Sequence, residues 1–143
     1  MLAAEATLPE NMITTDHPPT LQFTIRADTP TTVTYEDCPP GDLHHAQSTE
    51  SDNHLYVTEY DTDKETRACW HLPRTALNMG RPCFEKTATI NSDTSFSRTF
   101  TIWDDRENTT CYPAEQYRID FSVAIKGSDH SPYRWSLFIR IDQ

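Results

Sequence analysis

The histidines in the first half of the chain are the residues whose types and spacing best suit metal chemistry. His44 and His45 are adjacent, Asp42 precedes them and His54 follows. Imidazole and carboxylate groups suit zinc or copper. Adjacent residues of an extended chain point to opposite sides, so only a turn could bring both histidines to one ion. Solvated loop histidines explain the pattern more simply, and we predict no metal site and no cofactor.

Other chemistry-bearing residues also lack the pattern that a reaction or an ion requires. Asp61, Asp63 and Glu65 have the alternate spacing of calcium ligands, but the glycine and the bidentate glutamate of an EF-hand loop are missing. A charged hairpin tip accounts for them. No serine stands in a Gly-x-Ser-x-Gly elbow, and paired carboxylates carry little information on so acidic a chain. We therefore expect that the protein is not an enzyme.

Alternation of apolar and polar residues predicts the elements that position these side chains. It is strongest at residues 117–125 and 133–141, where every second residue is apolar. This period is the signature of strands with one buried and one solvated face. Weaker alternation predicts six further strands, at residues 21–27, 31–36, 55–60, 67–72, 83–90 and 96–103. About eight strands with little helix indicate an all-β, immunoglobulin-like antiparallel β-sandwich.

The inner faces of these strands predict a core, and their outer faces carry several aromatic residues. The predicted core consists of Phe23, Ile25, Val33, Val57, Trp70, Phe100, Ile119, Phe121, Val123, Trp135, Leu137 and Ile139. Outer positions are predicted for Tyr56, Tyr60, Tyr112 and Phe138. Exposed aromatic side chains can mark an interaction surface. Packing beneath a neighbouring loop is the alternative.

The length of 143 residues predicts one domain. Residues 1–19 contain Pro18 and Pro19 and show no periodicity, which predicts an extended or disordered N-terminal segment ahead of a domain at 20–143. Residues 37–53 predict a polar loop, and loops of this length are usually functional or flexible. Its candidate interaction residues are Cys38, Pro39, Pro40, Asp42, His44 and His45.

Four cysteines, Cys38, Cys69, Cys83 and Cys111, indicate the redox environment. No Cys-x-x-Cys pair is present, which disfavours a zinc ribbon or a thioredoxin-like site. An even number in a small acidic β domain favours two disulfides and an oxidising compartment, and four reduced thiols in a cytosolic protein are the alternative. Three pairings are possible. A variable-type immunoglobulin topology places Cys69 and Cys111 at one end of a sheet, which favours that bridge and leaves Cys38 with Cys83.

The charge balance excludes several partners. The chain carries 22 acidic and 12 basic residues, a net charge of -10 and a sequence pI near 4.8. Binding to nucleic acid or an anionic membrane needs a basic surface, which is absent. No apolar run approaches the roughly 18 residues of a membrane span, and the N-terminus is too short and acidic for a signal peptide. A lipid anchor, if the protein carries one, lies outside this sequence.

The kinds of charged residue indicate a salt-rich environment. Asp is more frequent than Glu, and Arg is much more frequent than Lys. This composition resembles the surfaces of proteins from salt-loving microbes, and an ordinary acidic secreted protein is the alternative. Asn108 begins an Asn-Thr-Thr glycosylation sequon, which also favours export.

Three segments carry a family resemblance. Cys69-Trp70, residues 96–103 and Cys111-Tyr-Pro-Ala-Glu-Gln-Tyr-Arg118 resemble a group of exported haloarchaeal proteins, many of them lipoproteins. Their typical unit contains Cys-x-Pro-x-Gly-x-Tyr-Arg and two closing strands. Ala114 and Glu115 stand where those proteins tend to have glycine. The pair of closing strands is also loosely similar to the immunoglobulin-like domain of the BsuPI family of proteinase inhibitors.

The resemblance covers about residues 65–141 and implies an exported immunoglobulin-like domain. We therefore expect an extracellular or cell-surface domain that acts by contact with another protein, as an adhesion, assembly or binding module. The BsuPI resemblance implies the alternative, a proteinase inhibitor. An inhibitor needs an exposed rigid loop, and residues 37–53 are its candidate.

The acidic composition predicts a stability that depends on salt. Self-repulsion of the net -10 charge destabilises the fold at low ionic strength, and molar KCl screens it and strengthens apolar burial. We expect the melting temperature to rise by several degrees between about 0.1 M and 2 M KCl, with a gain on the order of 1–3 kcal/mol. The control is a mesophilic β-sandwich of similar charge. A response no larger than that of the control would contradict the halophilic interpretation.

Overall fold

The computed structural model describes residues 2–10, 18–37, 43–58, 69–71, 84–127 and 132–142, with the side chains of residues 6–10, 36, 37 and 43 left out. Its strands are β1 (Leu2–Glu10), β2 (Thr20–Ala27), β3 (Thr31–Asp37), β4 (Leu43–Ser48), β5 (His54–Thr58), β6 (Phe84–Ile90), β7 (Phe96–Asp104), β8 (Gln116–Ile125) and β9 (Tyr133–Arg140). These ranges contain no helix, and hence none with the length and apolarity needed to span a membrane. The all-β prediction is confirmed, with nine strands rather than about eight.

The nine strands form one open antiparallel sheet. Its order is β1-β2-β7-β5-β4-β8-β3-β6, and β9 pairs with β8 beside this path. The sheet folds back on itself, because Phe23 of β2 stacks on Phe121 of β8 with ring centroids 4.2 Å apart, although β2 and β8 are not paired. Two parts of one sheet therefore pack face to face, which is the two-layer arrangement of a β-sandwich.

The strongest predicted strands lie where the alternation placed them. In β8 the side chains of Tyr117, Ile119, Phe121 and Val123 are buried and those between them are exposed. The Tyr117 hydroxyl donates to the Pro113 carbonyl, 2.8 Å away and four residues upstream. This is the arrangement of the tyrosine corner found in β-sandwich domains. It fixes the entry of the chain into β8.

The observed core contains most of the predicted residues and several others. Ten of the twelve predicted core residues are buried, and the other two, Trp135 and Leu137 of β9, are partly buried against the core. Tyr112 was predicted on an outer face, and that prediction is wrong, since its side chain is 0% exposed. Phe138, at 53% exposed, is outside as predicted. Further fully buried side chains include Leu21, Leu55, Ile90, Ile102, Trp103 and Ile141.

Two segments that were predicted without regular structure form strands. β1 pairs with β2 from Leu2 opposite Ala27 to Thr7 opposite Gln22, so this part of the N-terminal segment is extended and belongs to the sheet. Residues 37–53 were predicted as one loop, and this is wrong for β4, which pairs with both β5 and β8. Polar and small residues occupy β4, so its alternation carried no hydrophobic signal.

The structure also decides part of the cysteine prediction. Cys69 and Cys111 form a disulfide, which confirms the favoured pairing. Cys38 and Cys83 lie outside the described residues, so the second bridge remains a prediction. Residues 69–71 do not form the strand predicted for 67–72; only His71 pairs, through an isolated bridge to Asp104.

Candidate functional site

A buried carboxylate joins three segments at one end of the fold. Asp104, the last residue of β7, is 3% exposed. Its Oδ1 accepts hydrogen bonds from the Asn108 side-chain amide at 2.9 Å and the Tyr112 backbone N–H at 3.0 Å. Its Oδ2 lies 3.1 Å from His71 Nε2, and its backbone N–H donates to the Trp70 carbonyl. Because charged hydrogen bonds are among the stronger ones, this group fixes the 105–112 loop against β7 and residues 69–71.

Tyr112 completes the attachment of that loop. Its hydroxyl donates to the Ile102 carbonyl at 2.8 Å, inside the core. Burial, followed by the nearby Asp104 carboxylate, raises the pKa of the Tyr112 hydroxyl, so it stays protonated as a donor. Its backbone φ of 43° is left-handed, a conformation that a bulky residue adopts rarely and at some energetic cost. The disulfide at the preceding residue, Cys111, holds the same turn.

A second carboxylate organises the adjacent hairpin. Glu115 accepts hydrogen bonds from the hydroxyls of Ser48 and Ser51 and from the side-chain amide of Asn53 at 2.8 Å. The Ser48 hydroxyl oxygen in turn accepts hydrogen bonds from the backbone N–H groups of residues 50 and 51. Hydrogen bonds from Ser48 and Ser51 hold the pKa of Glu115 below its ordinary value. The β4–β5 turn is therefore tied to the start of β8.

A histidine cluster lies on the outer face of the β4–β5 hairpin. His45 lies opposite Tyr56, and the His54 ring packs 5.9 Å from the His45 ring and 5.1 Å from the Tyr56 ring, measured between centroids. His54 Nε2 is 2.7 Å from Oδ2 of buried Asp105. Burial, and then the charge of His54, lower the pKa of His45. Within the described residues, the donor atoms of His45, His54 and Asp105 do not converge closely enough to form a three-ligand metal site.

An open cleft lies on the other side of β4. β4 pairs with β8 at Tyr117–Ile119 and β3 pairs with it at Ala124–Ile125. Residues 120–123, between the two pairings, border a cleft of about 460 Å³. The divergence of β3 and β4 along one strand therefore creates the space.

The cleft has an aromatic wall and a charged rim. Its lining includes Phe23, Tyr35, Phe96, Phe121, His44 and Arg98. The Arg98 guanidinium lies 5.0 Å from the Tyr35 ring centroid and 5.5 Å from that of Phe100, which are cation–π distances. Glu85 and Asp120 line the same cleft, and both are exposed. The site can therefore accept an apolar group together with a charged one.

The structure separates the residues of the predicted interaction loop. His44 and His45 are neighbours in β4 and face opposite sides, as the sequence argument required. His44 lies at the cleft with its ring centroid 4.9 Å from that of Phe121, and His45 lies in the histidine cluster. Cys38, Pro39, Pro40 and Asp42 lie outside the described residues, as do Tyr60, Asp61, Asp63 and Glu65.

The sequon asparagine has a structural role. Asn108 Oδ1 accepts the His54 backbone N–H, and its amide donates to the His54 carbonyl at 2.7 Å and to Asp104. A glycan on this amide would replace one of the two donated hydrogens. Glycosylation at Asn108 remains a prediction, and it would require the loop to rearrange.

Sequence reasoning did not anticipate the cleft or the Asp104 junction. Both bring together residues that are far apart in the chain: the ring centroids of Tyr35 and Phe96 are 4.9 Å apart in the cleft, and His71 Nε2 lies 3.1 Å from Asp104 at the junction. The Asp104-Asp105 pair was a visible signal, because two adjacent acids at the end of an apolar strand are unusual in a core. The chain matches no protein-family model, no curated protein and no solved structure.

The Glu115 cluster predicts a specific pH dependence. The lowered pKa in the folded state means that the stabilisation is complete above the ordinary value of 4.5 and is lost as pH falls through the folded pKa. Glu115→Gln should remove this contribution. In denaturant unfolding, the difference in free energy of unfolding between wild type and Glu115→Gln should therefore be largest at neutral pH and should decrease below pH 4.5.

Exposed Glu107 supplies the matched control, because Glu107→Gln removes one negative charge without touching the serine cluster. The role of Glu115 would be contradicted if the loss of free energy of unfolding in Glu115→Gln did not depend on pH, or if Glu107→Gln lost the same amount at each pH.

Proposed function

We propose that this chain is a non-catalytic binding module that acts by protein–protein contact, and that the cleft beside β8 receives a side chain from an extended segment of the partner. The observation that carries the proposal is the cleft itself, about 460 Å³ with an aromatic wall. This volume lies within the range of about 300–1,000 Å³ that is usual for ligand pockets. It exceeds what one side chain fills, which leaves room for the backbone on either side of it.

The wall favours an aromatic or long apolar side chain. Phe23 and Phe121 are buried and stacked on each other, and Phe96 is half-buried against Tyr35. These rings are held by the core and need little reordering on binding, which reduces the entropic cost. An inserted aromatic ring can add about 0.5–1.5 kcal/mol for each favourable ring pair beyond its area burial.

The charges favour a basic partner. Asp120 and Glu85 lie on the cleft lining, and the whole chain has a net charge of -10. Arg98 also lines the cleft, and its guanidinium lies over the Tyr35 and Phe100 rings. Opposite charge accelerates encounter and suppresses wrong partners more than it adds affinity. The proposed occupant is thus an extended segment with an aromatic side chain and basic flanking residues.

We also propose that the protein works outside the cytoplasm, at the cell surface or in the extracellular medium. The Cys69–Cys111 disulfide supports this, because disulfides persist in oxidising compartments. The even number of cysteines and the acidic composition agree with it. Resemblance to exported haloarchaeal domains supports the same location.

Selection from a library of extended peptides tests the cleft directly. Ser122 is exposed on β8 and lines the cleft, so Ser122→Trp should fill it. Thr99 is exposed on β7 and does not line the cleft, so Thr99→Trp is the matched control. Peptides selected on the wild type should carry an aromatic residue with basic neighbours. Their affinity, measured by fluorescence anisotropy, should fall about tenfold or more in Ser122→Trp, which is ~1.4 kcal/mol, and stay unchanged in the control.

Two results would contradict the proposal. One is a selection that returns no binder, and the other is a set of binders whose affinity Ser122→Trp leaves unchanged. The alternative function, proteinase inhibition, is tested on the same variants with a panel of extracellular serine proteases. Slow, tight inhibition that survives Ser122→Trp would replace the cleft proposal with the inhibitor proposal.

A further inference from the structure

We propose that reduction of the Cys69–Cys111 disulfide converts the Asp104 junction into a binding site for zinc or a similar divalent transition metal. Its ligands are the thiolates of Cys69 and Cys111, the imidazole of His71 and the carboxylate of Asp104. This set of two sulfur, one nitrogen and one oxygen ligands is of the type that tetrahedral zinc accepts.

The geometry that carries the proposal is the convergence of these ligand atoms. One ligand atom each from Cys69, His71 and Asp104 lies within 4.8 Å of the other two. The sulfur of Cys111 is bonded to that of Cys69 at 2.02 Å. It therefore lies beside this group of three atoms, and after reduction a rotation of its side chain would have to bring it to the ion. In a tetrahedral site with zinc bonds of about 2.0–2.3 Å, neighbouring ligand atoms are about 3.3–3.8 Å apart. His71 Nε2 and Asp104 Oδ2 are already 3.1 Å apart, and side-chain rotation would have to close the remaining distances from the 4.8 Å limit of the cluster.

The surrounding contacts orient the ligands in advance. Asp104 is held at Oδ1 by Asn108 and Tyr112, which leaves Oδ2 directed at His71. Hydrogen bonds of this kind to a ligating carboxylate orient it for the metal. Cys69 and His71 flank buried Trp70, whose carbonyl accepts the Asp104 backbone N–H at 2.8 Å.

The disulfide controls whether the site exists. Thiolates, and not disulfide sulfurs, are metal ligands. While the disulfide is intact, only His71 and Asp104 of this set can act as metal ligands, and they contact each other. A water-soluble trialkylphosphine supplies the two electrons: the S–S bond breaks, phosphorus takes the oxygen of one water molecule, and the two protons of that water go to the sulfurs. Binding of a divalent ion then forms two metal–sulfur bonds and releases two protons.

Cobalt(II) is the probe, because thiolate ligands give it an intense charge-transfer absorption in the near ultraviolet. The background variant Cys38→Ser/Cys83→Ser removes the other two thiols. After reduction by the phosphine without oxygen, this chain should bind one cobalt ion and show the charge-transfer band, and zinc should displace it. The oxidised chain should show no such band. His71→Ala should weaken binding about tenfold or more, because removal of a group that only orients a ligand already costs about tenfold, and His71 is a ligand itself.

The control and a second measurement keep the outcome decisive. His45→Ala removes a histidine of the separate outer cluster and should leave the titration unchanged. Far-ultraviolet circular dichroism, recorded in each titration, reports whether the reduced chain is folded before and after the metal is added. Absence of the band in the reduced chain, folded or unfolded, would overturn the proposal. Equal cobalt affinity in His71→Ala and the background variant would overturn it as well, because it would show binding by the thiols alone.

Discussion

One end of the fold, which we call the polar end, consists of the end of β7, the 105–112 loop and residues 69–71. Its arrangement depends on the hydrogen bonds of one buried carboxylate. Asp104 accepts hydrogen bonds from the 105–112 loop and contacts His71. One side chain therefore fixes both this loop and the segment 69–71 to the end of β7. A carboxylate at 3% exposure is stable only when its oxygens are satisfied, because an unpaired buried charge is very costly. The Cys69–Cys111 bridge joins the same two connections. Covalent and electrostatic constraints therefore act on the same two segments.

The aromatic core imposes the second constraint and leads to the cleft. Phe23, Phe100 and Phe121 bring two parts of one sheet face to face, with the Phe100 and Phe121 rings 5.6 Å apart. β8 pairs with β4 near its start and with β3 near its end. β4 then pairs with β5, and β3 pairs with β6, so the two strands diverge. A gap lined by the edge of the aromatic core follows from this topology. The proposed binding function therefore uses the same side chains that close the fold.

The sequence predicts the fold well wherever a strand alternates apolar and polar residues, as β8 and β2 do. β4 escaped prediction because His44, Ala46 and Ser48 carry no hydrophobic signal, although Ala46 and Ser48 are buried. Tyr112 escaped it because it lies in a bend with a left-handed backbone, where the alternation of a strand does not apply. The pairing of Cys69 with Cys111 followed from topology and not from the cysteine spacing. The cleft and the proposed metal site depend on contacts between distant residues, such as Tyr35 with Phe96 and His71 with Asp104, which no local pattern encodes.

The central claim, that Asp104 fixes the polar end, is tested most directly by urea unfolding of Asp104→Asn. The amide keeps one oxygen but replaces the other with an NH₂ group, so the negative charge is lost and one of the two oxygens that contact Tyr112 and His71 no longer accepts. Exposed Asp93, in the β6–β7 turn, gives the matched control Asp93→Asn. The account predicts a loss of about 1.5–3 kcal/mol for Asp104→Asn, the range for hydrogen bonds to charged groups, and about 0.5 kcal/mol or less for the control. Equal stabilities of the two variants would contradict it.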